Sequence, residues 1–459
     1  MTISTAPTAN ILDPTVLQDV ASGNLRITTE QALRLYHEMP LTELGRWADK
    51  RCRELHGNDL RTYIVDRNIN YTNICTAKCT FCAFRRDGYE DDAYTLTFES
   101  ILQKVQEIVD IGGTQILMQG GMNPELPLDW YIDLLSLLRE TFPQVHVHAF
   151  SPPEIVEFVN FFTIPKDTLE KQIRWVLTKL KDAGLQSIPG GGGEIFAPAV
   201  RDKIGLGKCN AEVWLTVMRV AHELGMNTSA TMMFGHIEGI ADRIHHFDLV
   251  RSWQDKSIED FGLQGGGRYN AFISWPFQPD NSPLGRVKEW IPTTVNSVND
   301  VFPGDIVAKL DGTGKKTDHP EFGRKIRLAG SSSYLRTQAL SRLFLDNIYS
   351  IGSSWVTMGP SIGQTALFYG ANDLGSVMLE ENVVSAAGTT WCLDEARLCR
   401  MIREVGFTPA KRDNRYNLLK IQDGNDAPDQ LVTDWSLLEK NRLISQTEDC
   451  QTVALTVNN

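Results

Sequence analysis

From Arg61 to about Val405, this chain of 459 residues alternates short apolar stretches with amphipathic ones. No other feature restricts its fold as strongly. The stretches 62–69, 114–119, 145–150, a very short one near Ser187, 227–234 and 269–274 read as strands. Helical periodicity fills the gaps between them. In 98–111, for example, Ile101, Leu102, Val105, Ile108 and Val109 fall on one face. Repeated strand–helix units build a parallel sheet covered by helices. Seven or eight such units predict an α/β protein, a (β/α)8 TIM-type barrel. The stretch 285–330, rich in Gly, Pro, Lys and Asp, lacks periodicity and reads as an inserted excursion. Regularity resumes with a helix over 334–347, a strand around 354–357, a helical stretch over 363–370, an eighth strand or its equivalent within 377–384, and a closing helix over 394–405. The expected organisation is a helical preface over 1–60, a barrel over 61–420 interrupted by the excursion, and a polar tail over 421–459 with a short helix near 435–443.

In such a barrel the chemistry sits at the C-terminal ends of the strands. The unusual residues of this chain gather there: Cys75–Cys82, Gly120–Gly121, Ser151–Glu154, Pro189–Glu194, Gly235–His236, Trp275–Gln278 and Glu380–Glu381. Gly and Pro also simply end strands, so the weight rests on the set. Cys75, Cys79 and Cys82 follow the first strand at C-x3-C-x2-C spacing. Three thiolates can hold three irons of a [4Fe–4S] cube and leave the fourth iron open to a small molecule. Zinc usually takes four ligands in paired sets. No second C-x2-C and no H-x3-H follows nearby, and Cys52 is separated by the first strand.

The remaining pieces each have two readings. At Gln119-Gly120-Gly121 the missing side chains allow close approach of a ligand, or only a turn. Pro189 to Glu194 encloses four glycines, which fits a ligand passing close to backbone with Glu194 bonding a ribose hydroxyl or amine, or a hinge. His146 and His148 alternate on the third strand and share one face. They are proton shuttles in the lumen or hydrogen-bonded core imidazoles, and His236 is a similar case. Tyr71 reads as packing, while Trp275 and Phe277 are ligand walls or core. Arg85 and Arg86 balance a cluster's charge or sit in solvent.

The net charge of −12, spread along the chain, argues against a nucleic-acid partner. No apolar run reaches the ~18 residues of a membrane span, and the first residues lack an apolar signal core. Eight cysteines without regular pairing point to reduced thiols and a cytoplasmic location.

The cysteine spacing, with Phe81 just before Cys82, resembles the radical S-adenosylmethionine (SAM) superfamily. The stretch Arg67 to Asn73 resembles its menaquinone/deazaflavin branch. That branch holds aminofutalosine synthases, the two halves of FO synthase and the cyclic dehypoxanthine futalosine synthases. Several stretches are most similar to the last of these: His148 to Glu154, Ser187 to Gly192, Ala230 to His236, Ala271 to Pro279, Ser354 to Thr357, and Gly375 to Asn382. The resemblance implies a [4Fe–4S] cluster on Cys75, Cys79 and Cys82, and SAM beside Gln119, Gly120, Gly121 and Glu194. It implies an external one-electron donor such as flavodoxin or ferredoxin. The implied reaction takes the ribose C4′ hydrogen of dehypoxanthine futalosine, adds the carbon radical to the benzoate ring, and loses an electron and a proton. Glu194, His148 and His236 are candidate bases by position, and Arg336 is one possible partner for the substrate carboxylate. The chain departs from the family's pattern at Gly193, where alanine is typical, and in the longer segment between Pro279 and Tyr334. An aminofutalosine synthase or the tyrosine-using half of FO synthase would share the cysteines but act on another substrate. A non-catalytic iron–sulfur or zinc scaffold would cleave no SAM and leaves the glycine-rich strand ends unexplained.

Overall fold

The structure, a computed structural model, describes residues 4–5, 9–57, 59–286, 328–389 and 391–437. Most of the excursion and the end of the tail lie outside them. The chain begins with a two-residue parallel pair, β1 (Ser4–Thr5) and β2 (Leu25–Arg26), and three helices: α1 (Pro14–Ser22), α2 (Thr29–Glu38) and α3 (Leu41–His56). Thr28 and Gln31 form a reciprocal capping box at the start of α2, as their spacing predicts. Pro40, which cannot continue a helix, stands at the N-cap of α3.

The first barrel strand is split at Val65 into β3 (Leu60–Ile64) and β4 (Asp66–Ile69). From β4 the parallel ladder runs through β5 (Gln115–Met118), β6 (His146–Ala149), β7 (Ser187–Ile188), β8 (Asn227–Phe234), β9 (Tyr269–Pro276), β10 (Ser350–Gly352) and β11 (Asp373–Ser376). β11 then pairs with β3. Because β3 and β4 are one run of chain, the ladder returns to its start and eight parallel positions close into the expected barrel. Helices cover the outside with their apolar faces. In α4 (Phe98–Asp110), capped by Thr97, the buried face is Ile101, Val105 and Ile108. Burying each such side chain contributes roughly 1.5–3 kcal/mol. Among the described residues no helix is long and apolar enough to cross a membrane.

The split has a structural cause. Along β3 the edge that β5 would occupy is taken by β12 (Thr408–Arg412), which forms an antiparallel hairpin with β13 (Leu418–Ile421). This hairpin lies where the sequence pattern shows no strand. The β12 sequence has little apolar alternation of its own and is buried by β3 and by α14 (Glu395–Glu404). Two expected strands are also shifted. Residues 354–357 belong to a helical turn, α12 (Trp355–Met358), and the strand is β10, just upstream. The buried Trp355 explains the difference, because its indole N–H donates to Leu374 O at 2.9 Å from outside the ladder. Residues 377–384 are not the eighth strand. β11 ends at Ser376, and Met378, at φ 51°, turns the chain into a loop. Near the end, a 3-10 turn (Trp435–Leu437) is described, and the rest of the expected helix lies outside the described residues.

The preface is fastened to the barrel's outer helices. Arg26 pairs with Asp255 on α10 (Ile240–Gly265) and with Asp346 just after α11 (Ser331–Phe344). Arg336 on α11 donates to Tyr36 O at 2.8 Å and Met39 O at 2.7 Å. It is therefore a clamp between layers, away from the lumen, and not the carboxylate partner the sequence suggested.

Candidate active site

At the C-terminal ends of the strands the barrel encloses a cavity of ≈ 480 Å³. The loop after β4 forms one wall, carrying Cys75, Cys79 and Cys82. It is pinned on both sides by backbone bonds: Thr76 N to Met122 O at 3.0 Å on one, Lys78 N to Leu206 O and Thr80 N to Ile204 O, both 2.9 Å, on the other. Arg85 donates to Cys75 O at 3.1 Å. Arg86, by contrast, is engaged with the exposed Asp92. Burial raises the Cys75 thiol, opposed by N–H groups of Met122 and Ala77 and by the Lys208 charge. Burial pushes Cys79 up to about 12, again against Lys208. Three thiols on one wall, backbone N–H donors at sulfur, a nearby ammonium and apolar surroundings from Ala77, Met122 and Phe161 make a donor set suited to an iron–sulfur cluster. Among the described residues no three His, Cys, Asp or Glu side chains form a group able to hold a single metal ion.

Gln119, Gly120 and Gly121 follow β5 beside this wall. A Cβ at Gly120 would lie 2.5 Å from the Tyr71 ring, and one at Gly121 would lie 2.0 Å from Ile74 O. Glycine is therefore required here by the protein's own packing, which brings the turn against the cysteine loop. Glu154 holds that turn. Its Oε1 accepts from Tyr71 Oη at 2.6 Å and Gly120 N at 3.1 Å, and its Oε2 accepts from Ser151 N and Oγ. The Ser151–Glu154 pair is a capping box at α6 (Pro152–Phe161), so the S-x-x-E spacing carried a signal for this clamp. Tyr71 is fully buried, as packing requires.

The run after β7 is clamped in place. Gly190 to Gly192 and Glu194 line the cavity. Gly190 O accepts from Thr231 Oγ1 at 2.6 Å, Gly191 O from the Trp214 indole at 3.0 Å, and Gly192 and Gly193 carbonyls from Arg201 at 3.0 and 2.8 Å. A Cβ at Gly193 would meet Thr231 O at 2.7 Å. Glu194 follows in the left-handed region at φ 40°. Its carboxylate accepts from Lys208 Nζ at 2.8 Å. Burial acts to lower the Lys208 ammonium, but Cys79 and Glu194 outweigh it and hold it raised. Lys208 sits after α8 (Pro198–Ile204), outside any recognisable motif, and sequence reasoning missed it.

Of the three candidate bases, the cavity includes Glu194 and His148 but not His236. His236 lies in the core beside Phe277, its Nε2 3.2 Å from Met233 O and its Nδ1 3.1 Å from Glu238 Oε2. Glu238 accepts from the backbone N–H of Gly235 and His236, and this tight turn places the ring away from the lumen. His148 Nδ1 is 2.6 Å from Ser187 Oγ, and its ring borders the cavity. Burial and the neighbouring His146 push it down to about 3. Trp275 lines the cavity, whereas Phe277 is core. The lower lumen is polar, with Arg412 bonded to Asp373 at 2.5 and 2.8 Å.

The Radical SAM superfamily model matches residues 69–250, and the CofH/MqnC C-terminal region matches 319–424. A cyclic dehypoxanthine futalosine synthase of Halalkalibacterium halodurans is 36% identical over 90% of this chain and 97% of that relative. An aminodeoxyfutalosine synthase of Thermus thermophilus is 34% identical over 91% of this chain and 99% of that relative. Among solved structures, methylornithine synthase superposes with a TM-score of 0.58 at 16% identity, over 86% of this chain and 97% of that one, which speaks for the fold alone.

Proposed function

The chain belongs to the radical SAM superfamily, and on that premise we propose that it cyclises dehypoxanthine futalosine in menaquinone biosynthesis. The observation that carries this reading is one cavity joining the cysteine wall, the Gly120–Gly121 turn and the polar lumen, in a chain similar to a cyclic dehypoxanthine futalosine synthase over 90% of its length. Enzymes of this superfamily use a [4Fe–4S] cluster and SAM, which when bound supply a 5′-deoxyadenosyl radical. Cys75, Cys79 and Cys82 would hold three irons of the cluster. Gln119, Gly120, Gly121 and Glu194 would border SAM, with the Lys208–Glu194 pair beside them. The rest of the lumen would hold the ribose C4′ and the benzoate ring in contact, so the chain's own contribution is proximity. Of the candidate bases, His148 is the one we assign as proton acceptor, because its ring borders the cavity and Glu194 is already paired with Lys208. An external one-electron donor such as flavodoxin or ferredoxin would be the redox partner.

A second reading, aminodeoxyfutalosine synthesis, is favoured by the 34% identity to the Thermus thermophilus relative. One anaerobic experiment separates the two. The protein is reconstituted with iron and sulfide, reduced with dithionite, and given SAM with dehypoxanthine futalosine. Cyclised product and 5′-deoxyadenosine appearing together, and both lost in Cys79→Ala, support the cyclase. Deoxyadenosine without cyclised product moves the substrate to the second reading.

A further inference from the structure

We propose that Ser187 joins His148 and His146 into a proton path leading from the cavity to the N-terminal rim of the barrel. His148 and His146 lie two residues apart on β6 and face the same side. Ser187 stands on the neighbouring β7, in register with His148. Its hydroxyl lies 2.6 Å from His148 Nδ1 and 2.7 Å from His146 Nε2. A hydroxyl has one proton to give and lone pairs to accept, so it can donate to one ring while accepting from the other.

Both ends of this chain are open. The His148 ring borders the cavity, and its Nδ1 is the atom that meets Ser187. His146 does not line the cavity and is half-buried at the start of its strand. Arg412, Asn414 and Tyr416 line the lumen alongside. A third histidine shows the contrast. His222 is bonded at both nitrogens, to Ser257 and Thr228 at 2.8 Å each, and is wholly enclosed, so it leads nowhere.

Transfer along the chain balances. His148 takes a proton at Nε2, and its Nδ1 proton moves to Ser187 Oγ. The Ser187 hydroxyl proton moves to His146 Nε2, and His146 releases its Nδ1 proton to water. Each ring ends neutral in the other tautomer, and one proton has left the cavity. Both rings are neutral beforehand. Burial, His146 and Arg412 hold His148 at about 3, and burial and Arg415, opposed by Asp413, hold His146 at about 4. Arg412 itself is paired with Asp373. Resting on the proposed cyclisation, the proton is the one lost when the benzoate ring regains aromaticity. The accompanying electron passes to a one-electron acceptor of the iron–sulfur or flavin class.

The test uses the whole reconstituted protein and two variants, Ser187→Ala in the middle of the path and His146→Ala at its outer end. With folding checked by thermal melting, both are expected to form 5′-deoxyadenosine while the yield of cyclised product per deoxyadenosine falls about 10-fold or more. Added imidazole should restore the ratio in His146→Ala. A purely structural serine or histidine would not be rescued this way. Wild-type product ratios in both folded variants would overturn the path. Should the wild type make deoxyadenosine but no cyclised product, the substrate reading fails while the path is still decided, by ¹⁵N-histidine NMR. At neutral pH, ring ¹⁵N shifts showing complementary tautomers of His148 and His146 in wild type, both altered in Ser187→Ala, support it. Tautomers that are the same in wild type and Ser187→Ala overturn it.

Discussion

Lys208 Nζ and Glu194 Oε1 meet at 2.8 Å on the wall shared with the cysteine loop. The same ammonium lies 5.0 Å from the centre of the Phe81 ring, and Cys79 and Cys82 act to keep it protonated. One cation thus serves two acidic groups, a carboxylate set in left-handed backbone and a pair of thiols. Its position ties the loop after β4 to the loop after β7.

Breaking that pair leaves a carboxylate at 4% exposure without a counter-charge. Lys208→Met is expected to destabilise the protein by about 3 kcal/mol, and adding Glu194→Gln should recover most of the loss. Urea denaturation of the two variants and of wild type measures this. Equal stability of the single and double variants would show that the pair is not coupled.

Glu154 accepts four hydrogen bonds with two oxygens. A glutamine has one acceptor oxygen and would set an NH2 against donors. Glu154→Gln should cost roughly 2 kcal/mol and loosen the Gly120 turn. The expected result is a lower melting temperature together with weaker SAM binding by calorimetry. Unchanged SAM affinity would separate the clamp from the cofactor site.

Gly193→Ala tests the clamped loop after β7. The added methyl meets Thr231 O at 2.7 Å, a backbone atom with little room to move. A loss of about 1–3 kcal/mol is expected. Thermal melting reads it, and a neutral outcome would mean that β8 yields at Thr231.

Acid should unfold the protein through its buried histidines. His56, His148 and His222 are held at about 3 and His146 at about 4, burial being the leading cause for each. The unfolded chain binds these protons near 6.5, so their stabilisation is complete above that pH and is lost as pH falls towards 3–4. Each group adds a slope of up to ~1.4 kcal/mol per pH unit across that window. Denaturant midpoints measured from pH 7 to pH 4 should fall steeply, and less steeply in His222→Gln.

Much of the site was legible in consecutive residues. C-x3-C-x2-C spacing, the glycines after β5 and β7, and the alternation of His146 with His148 are local patterns, and the cavity contains most of them. His236 and Arg336 show the limit. By sequence His236 is a candidate base at a strand end and Arg336 one possible carboxylate partner, yet His236 is turned into the core by the Glu238 turn and Arg336, on a helix, is occupied by carbonyls of the preface. Position along the chain indicates which strand end a residue occupies, but not which way its side chain leaves it.

The sequence by itself determined the repeated strand–helix order, hence the parallel barrel, and the three cysteines on one loop, because periodicity and spacing are properties of neighbouring residues. The tertiary structure alone decided the split of the first strand by β12, the clamp of Glu154 on Gly120, the pairing of Lys208 with Glu194, and the placing of Ser187 between two histidines. Each of these joins residues of different elements or loops, brought together by tertiary packing. Their partners are chosen by burial and hydrogen-bond satisfaction between elements; the S-x-x-E spacing marked Glu154 as a cap but not Gly120 as its partner.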